Sequence, residues 1–127
     1  MAASSRDSHL TIRRVERQQH LIERLHASGD RITLGALAAE FGVAERTVAR
    51  DLERLRLSGV PIDVAAGRGG GAIIHRTGPI AAISFDLPEI GALMSSLVNL
   101  GPTASESAAA AMRKLADALG AAQTWSG

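Results

Sequence analysis

Apolar positions along the first half of the chain recur at helical spacing in three segments. Residues 9–27 place Leu10, Val15, Ile22 and Leu25 near one face with Leu21 beside it, which predicts a first helix whose middle is interrupted by Gln18 and Gln19. The segment LGALAAEF (34–41) predicts a second helix with Thr33 as its cap, and Gly42 then breaks the chain. A third helix is predicted over residues 45–57, with Val48, Leu52 and Leu55 facing inward.

Short β-branched runs surround these helices. Residues 31–33 (RIT) predict a one-rung strand, residues 60–64 a strand with Ile62 and Val64 on one face, and residues 72–75 a returning strand. The intervening AAGRGGG (65–71) is too rich in glycine for a helix or a strand and predicts a hairpin loop. Two helices, a turn, a third helix and a hairpin form the order of a winged helix-turn-helix.

The second half predicts a pair of helices. After a linker (77–86), Asp86 and Glu89 have the spacing of a capping box that opens a helix over residues 87–100. Thr103 and Glu106 repeat that spacing before an Ala-rich helix that we expect Gly120 to stop. The predicted fold class is mainly α: an α+β winged helix-turn-helix domain (9–76) followed by a C-terminal helical hairpin (87–120), with a disordered start (1–8) and a tail (121–127).

Composition narrows the function classes. The 127 residues are 46% hydrophobic and 2% aromatic, so an aromatic-lined ligand pocket is not expected. The absence of cysteine excludes disulfides, thiolate metal sites and cysteine nucleophiles. The polar N-terminus lacks the apolar core of a signal peptide, and no apolar run has the length of a membrane helix, so we expect a cytoplasmic protein without a membrane partner.

The positive charge is concentrated in the first half. Residues 1–76 contain 12 arginines against nine acidic residues, whereas residues 77–127 contain two basic and four acidic residues. Arginine forms forked contacts with phosphates and guanine edges that lysine forms less well. The asymmetry favours a polyanionic partner for the first half.

The third helix carries the candidate site. Arg46, Arg50 and Arg54 recur every four residues, where like charges repel by roughly 0.2–0.5 kcal/mol per pair, and Arg46 lies where the helix dipole disfavours a cation. With the apolar residues inward, we expect Glu45, Thr47 and Asp51 to face solvent beside these arginines. Arg46, Thr47 and Arg50 are the first choice for base contacts, and Arg54 has Asp51 and Glu53 as candidate partners. The predicted DNA-binding residues are Glu45, Arg46, Thr47, Arg50, Arg54 and the wing residue Arg68.

Neighbouring features leave alternatives open. Ala44 cannot cap the third helix, so its first amides are free for a phosphate oxygen or for water. The loop around Arg68 lacks the GxxxxGK[ST] pattern and a following helix, which argues against a nucleotide site. Two interpretations stay open for three arginines of the first helix: they contact phosphate, or they form a solvated face. These residues are Arg13, Arg14 and Arg17.

Other chemistries lack their residues. The four histidines have no metal-ligand spacing, and no serine or threonine lies in a nucleophile elbow. We therefore predict no catalytic site, metal, cofactor or small-molecule ligand.

The stretch RITLGALAAEFGVAERTVARDLERLRLSGVPIDVAAGRGGG resembles the DNA-binding domain of WYL-domain and DeoR-type transcriptional regulators, at LA..FGV..RTV.RDL..L...GVPI and the Gly-rich wing. The segments DLPEIGALMSSLVNLG and AAAAMRKLADAL are similar to the helical region that follows the winged helix in WYL regulators. Ala44 stands where that family has Ser or Thr, and the wing has GGGA instead of GGGY. The chain ends at Gly127, so we expect the WYL sensor domain to be absent.

The combined prediction is a sequence-specific regulator that binds double-stranded DNA as a homodimer through the 87–120 hairpin. Its recognition helix (about 45–57) would lie in the major groove and its wing (65–71) would contact the backbone or minor groove. The alternative is a protein-interaction or adaptor winged-helix module, such as a heterodimerising modulator of a full-length regulator, without its own DNA site.

Overall fold

In the computed structural model the described residues form five helices and a two-stranded sheet, which confirms the predicted mainly α class. The elements are α1 (Ala2–Ser28), α2 (Leu34–Phe41), α3 (Glu45–Leu57), β1 (Ile62–Ala65), β2 (Gly71–Ile74), α4 (Leu87–Leu100) and α5 (Glu106–Trp125). The structure describes the backbone of residues 2–67, 70–75, 78, 80, 82–101 and 105–125, and the side chains of residues 13–67, 70–75, 78, 80, 82–101 and 105–121. The chain forms two compact units, residues 1–79 and residues 80–127.

The first unit is built around aliphatic side chains from all three of its helices. Leu21 and Leu25 of α1, Leu37 of α2, and Val48 and Leu52 of α3 are completely buried in one cluster. Ile62 of β1 and Ala72 and Ile74 of β2 extend the cluster to the sheet. This apolar contact holds α3 between α1 and the strands, and so determines which of its faces is exposed.

The turn between α2 and α3 follows from its sequence. Thr33 caps α2 by accepting a hydrogen bond from Ala36 N at 3.1 Å. Gly42 ends α2 in the left-handed conformation (φ 66°), and Val43 N donates to Ala38 O at 3.1 Å. Val43 packs partly buried against the core, so the two helices meet at a fixed angle.

The sheet contains the predicted hairpin and the one-rung strand. β1 and β2 are antiparallel, with Ile62 opposite Ile74. Ile32 forms an isolated bridge with Ala72 through hydrogen bonds of 2.9 and 2.8 Å. A Cβ on residue 71 would lie 2.1 Å from Ile32 O, so only glycine allows this close approach. Val64 lies two residues after Ile62, on the face predicted for both, but it is exposed whereas Ile62 is buried.

The second unit is a pair of helices. Asp86 and Glu89 form the predicted capping box at the start of α4, with both hydrogen bonds at 2.9 Å. α4 and α5 pack against each other, and Leu100 and Ala108 are buried.

Three boundaries differ from the predictions. Residues 2–8, expected to be disordered, belong to α1, because no proline or glycine stands between Ala2 and Ser28 to end the helix. Ser105, rather than Thr103, caps α5 by accepting from Ala108 N at 3.0 Å; Thr103 itself lies outside the described residues. α5 continues through Gly120 into the predicted tail, since an exposed helical glycine costs only about 1 kcal/mol and alanines follow it.

Candidate nucleic-acid interface

The outer face of α3 displays three arginines. Arg46, Arg50 and Arg54 are all exposed, whereas Val48 and Leu52 on the inner face are completely buried. Spacing of four residues places the arginines in one row along the helix. The arginine row, as we call these three residues, therefore faces away from the core of its unit.

Two of the three carboxylates of α3, those of Asp51 and Glu53, are bound to other arginines. Asp51 accepts hydrogen bonds from Arg17 Nε and from Arg17 Nη2 (3.2 Å), and Glu53 pairs with Arg56 at 2.6 Å. Asp51 and Glu53, which the sequence offers as partners of Arg54, are therefore both paired with other arginines. Among the described residues, no carboxylate lies within 4.0 Å of a guanidinium nitrogen of the arginine row.

Asp51 corrects the prediction that it faces solvent. Its residue surface is 1% exposed, and Gln18 Nε2 donates to Asp51 Oδ1 at 3.2 Å in addition to the two bonds from Arg17. Arg17, for which the sequence left a phosphate contact and a solvated face open, is partly buried and bound to Asp51. A carboxylate at the edge of the apolar face is stable there only because α1 supplies these donors.

Two exposed ion pairs bind further charged groups of the first unit to each other. Arg24 Nε and Nη2 donate to the Glu40 carboxylate at 2.9 and 3.0 Å, which joins α1 to α2. The hydrogen bonds from Arg24 lower the pKa of Glu40, and those from Arg56 lower the pKa of Glu53, since each guanidinium stabilises the ionised carboxylate. Neither pair involves the arginine row.

The start of α3 is open, as predicted. Ala44 provides no side-chain cap, and the amides of Glu45 and Arg46 have no hydrogen-bond acceptor among the described residues. Thr47 is half-buried, and its amide donates to Ala44 O at 3.0 Å. Unsatisfied amides at a helix start attract anions.

Glu45 occupies a different position from the arginine row. A Cβ on Gly35, near the start of α2, would lie 2.9 Å from Glu45 Oε1. Glu45 also lines a cleft of about 350 Å³ that is bordered by Thr33 and by the base of the wing at Ala65 and Gly71. An exposed carboxylate there borders the arginine row without neutralising it.

The wing is fixed at its base by a residue that sequence analysis did not select. Arg31 Nη1 donates to Gly71 O at 3.1 Å, and Arg31 Nη2 donates to Asp63 Oδ2 at 3.1 Å. One guanidinium therefore binds both strands of the hairpin. Arg68, the predicted wing contact, lies outside the described residues.

Arg17, Gln18 and Arg31 were missed for an identifiable reason. Each was considered within its own element, while its partner lies 32 to 40 positions away in sequence. One signal was available: Gln18, which interrupts the apolar stripe of α1, lies where a buried polar group requires a donor. Arg13 and Arg14 form no ion pair among the described side chains, which leaves both interpretations of them open.

The described residues contain no cluster of three His, Cys, Asp or Glu side chains suited to a metal ion. Within the same part of the chain, no helix combines the length and the apolar character that a membrane crossing requires.

Comparison with known protein families matches part of the first unit. Residues 17–71 match a protein-family model described as an HTH domain, which spans α1 from Arg17 through α2 and α3 to the start of β2. No curated protein and no solved structure matches the chain significantly. The family match supports the helix-turn-helix region, while the relation to WYL and DeoR-type regulators stays a prediction.

Proposed function

We propose that this protein is a sequence-specific transcriptional regulator that binds double-stranded DNA through α3. The observation that carries the proposal is the arginine row: three exposed guanidinium groups on one helix face, with the Asp51 and Glu53 carboxylates of α3 bound to other arginines. In helix-turn-helix domains the second helix of the motif lies in the major groove and presents its N-terminal residues to base edges. In this chain that helix is α3, within the segment that matches an HTH domain.

The residues divide by expected role. Arg46, Thr47 and Arg50 lie toward the start of α3 and are the proposed base contacts, since a bidentate arginine–guanine pair discriminates by roughly 1–3 kcal/mol. Arg54, further along the helix, is the proposed phosphate contact, and the open amides at the helix start offer another. Glu45 is the proposed acceptor for a cytosine amino group. Arg68 remains the proposed wing contact with the backbone or minor groove.

A matched pair of variants tests this assignment. The duplex sequence is first selected from a random pool, and affinity is then measured by fluorescence anisotropy at several salt concentrations. Arg46→Ala with Arg50→Ala should weaken binding at least tenfold. The control, Arg24→Ala with Arg113→Ala, removes the same charge from residues outside α3. Equal losses in the two double variants would show that only net charge matters and would contradict sequence reading by α3.

Salt dependence provides a second criterion. Each phosphate that the protein neutralises contributes about 0.9 to the slope of log affinity against log salt concentration. Arg54→Ala should therefore lower the slope by about one while leaving the preferred sequence unchanged. A chain that selects no duplex, and instead co-purifies with a protein partner, would support the adaptor alternative.

We further propose that the regulator acts as a homodimer through the second unit. Leu87 and Val98 are 66% and 58% exposed, and a helix turn places them on one face of α4 together with Met94. A neighbouring apolar groove is lined by Leu93 and Leu97 of α4 and Leu115 of α5. Two helices alone bury little apolar surface, so a second copy of the pair would supply the missing contacts.

Sedimentation over a range of concentrations tests the dimer. Leu87→Gln with Val98→Gln changes exposed positions and should shift the chain toward monomer without loss of helicity. A palindromic selected site, with half-sites separated by whole turns of the duplex, is the expected counterpart in DNA. An unchanged mass distribution in the double variant would exclude this face as the interface.

A further inference from the structure

A buried carboxylate joins the predicted recognition helix to α1. Asp51 of α3 accepts three hydrogen bonds from two consecutive residues of α1: two from Arg17 and one from Gln18. The Asp51 side chain is 2% exposed and that of Arg17 is 21% exposed. This cluster, which we call the Arg17–Asp51 fork, links α1 to α3 through hydrogen bonds between side chains.

Stability alone does not account for such a pair. Removing two charges from water is costly, and well-packed apolar side chains of similar volume are commonly as stabilising as a buried ion pair. Here the apolar contact between α1 and α3 is already made by Leu21, Leu25 and Leu52. The distinctive property of the fork is directional: a guanidinium that binds both carboxylate oxygens permits one relative orientation, whereas aliphatic contacts tolerate rotation and sliding.

Rotation of α3 about its axis matters for the exposed face. Arg50 immediately precedes Asp51, and Arg54 follows it by three positions, so any rotation that moves Asp51 moves the arginine row by the same angle. The base edges in the major groove offer donors and acceptors at fixed positions, and a bidentate contact fails when its arginine is displaced by about an ångström.

We propose that Arg17 is a positioning residue for DNA recognition: its fork to Asp51, assisted by Gln18, fixes the rotation of α3 and thereby aims the arginine row. This inference rests on the proposed DNA-binding function. It predicts that the fork contributes to discrimination between sequences, whereas the arginine row contributes to both discrimination and overall affinity.

A charge-neutral replacement separates orientation from stability and net charge. Arg17→Met with Asp51→Leu removes one positive and one negative group, so the net charge is unchanged. The double variant should melt close to the unaltered protein and bind random duplex with unchanged affinity. Its affinity for the selected duplex should fall about tenfold. Retention of the full ratio of selected to random affinity, in a variant that folds, would overturn the proposal.

A milder variant keeps the test decisive if the double replacement does not fold. Arg17→Lys retains the charge but replaces a planar fork with a single ammonium group. It should lower the same affinity ratio by a smaller factor, about threefold, and adding Gln18→Leu should lower it further. A ratio unchanged in both would contradict the positioning role.

A measurement without DNA distinguishes failure of this inference from failure of the proposed function. The chain contains no cysteine, so cysteines introduced at the exposed positions His26 of α1 and Leu57 of α3 accept spin labels specifically. Pulsed electron paramagnetic resonance should give a narrow distribution of distances between the two labels when Arg17 and Asp51 are unaltered. With Arg17→Met and Asp51→Leu the distribution should be broader or shifted. Identical distributions would refute the positioning role, whether or not DNA binds. A broadened distribution in a protein that selects no duplex would support the orienting role of the fork and refute only the DNA-binding function.

Discussion

Replacing Gly71 by alanine is expected to disrupt the junction between the wing and the rest of the first unit. The new Cβ would lie 2.1 Å from Ile32 O, 2.6 Å from Ile32 C and 2.8 Å from Thr33 Cα. All three are backbone atoms of the segment that carries the cap of α2, so no side-chain rotation relieves the clash. Gly71 also has a φ of +123°, a conformation that alanine adopts only under strain.

The magnitude follows from two contributions. Separating residues 32 and 72 breaks their two backbone hydrogen bonds, at about 1 kcal/mol each. The backbone conformation costs about 2 kcal/mol more for a residue with a Cβ. A loss of about 4 kcal/mol is a large share of the 5–15 kcal/mol by which small domains are stable. For a unit of this size it corresponds to a fall in melting temperature of roughly 15–30 °C.

Two other glycines of the same unit provide controls. A Cβ on Gly67 (φ +86°) meets no atom within 4 Å, so Gly67→Ala should show the conformational cost without the clash. Gly78 has open space and no positive φ, so Gly78→Ala should leave the melting temperature within a few degrees. Thermal unfolding followed by circular dichroism ranks the three variants. If Gly71→Ala and Gly67→Ala have the same melting temperature, the close approach of Ile32 does not constrain the wing.

Three further predictions follow from caps and ion pairs. Thr33→Ala should lower the free energy of unfolding by about 1 kcal/mol in urea titrations, because α2 loses the acceptor for Ala36 N. Ala44→Ser should raise the free energy of unfolding by up to about 1 kcal/mol, and it should weaken the affinity for duplex DNA if the open amides bind phosphate. A variant that is both more stable and tighter in binding DNA would contradict that role of the amides. Since Arg24 lowers the pKa of Glu40, this pair stabilises the fold above the unfolded carboxyl pKa of 4.5, and the contribution is lost as pH falls through the folded value. Glu40→Gln should therefore flatten the acid limb of a stability–pH curve, and an unaltered limb would argue against the pair.

The element order was predictable because each boundary carries a local signal. Thr33, Gly42 and the Asp86–Glu89 capping box determine their helix ends through contacts within four residues, and all three behave as the sequence indicates. The boundary that failed at Gly120 was assigned from a residue whose penalty is small when neighbouring residues favour the helix. Caps that form specific hydrogen bonds are thus better predictors than glycine alone.

The side-chain partners could not be predicted in the same way. Asp51 is an acidic residue one position after Arg50, and helix periodicity alone places it at the edge of the apolar face, where solvent and core are equally accessible. Its burial depends on Arg17 and Gln18 of α1, 34 and 33 positions earlier. Such a pairing is set by the packing angle of two helices, which the sequence pattern of either helix does not contain.

The ion pairs of the first unit also explain how α3 can carry the three like charges of the arginine row. Arg17, Arg24 and Arg31 of the first unit join different segments by binding Asp51, Glu40 and Asp63, and Arg56 binds Glu53 within α3. Asp51 and Glu53 are the acidic residues beside Arg50 and Arg54 in sequence, and because each is bound to another arginine, neither neutralises the arginine row. The ion pairs that stabilise the unit are therefore the same contacts that leave the outer face of α3 positive. Breaking one of these pairs, for instance by Arg17→Met alone, would leave the Asp51 carboxylate unpaired beside the arginine row. That carboxylate would attract the arginines and so lower their affinity for an anionic ligand. The charge-neutral double variant avoids this effect.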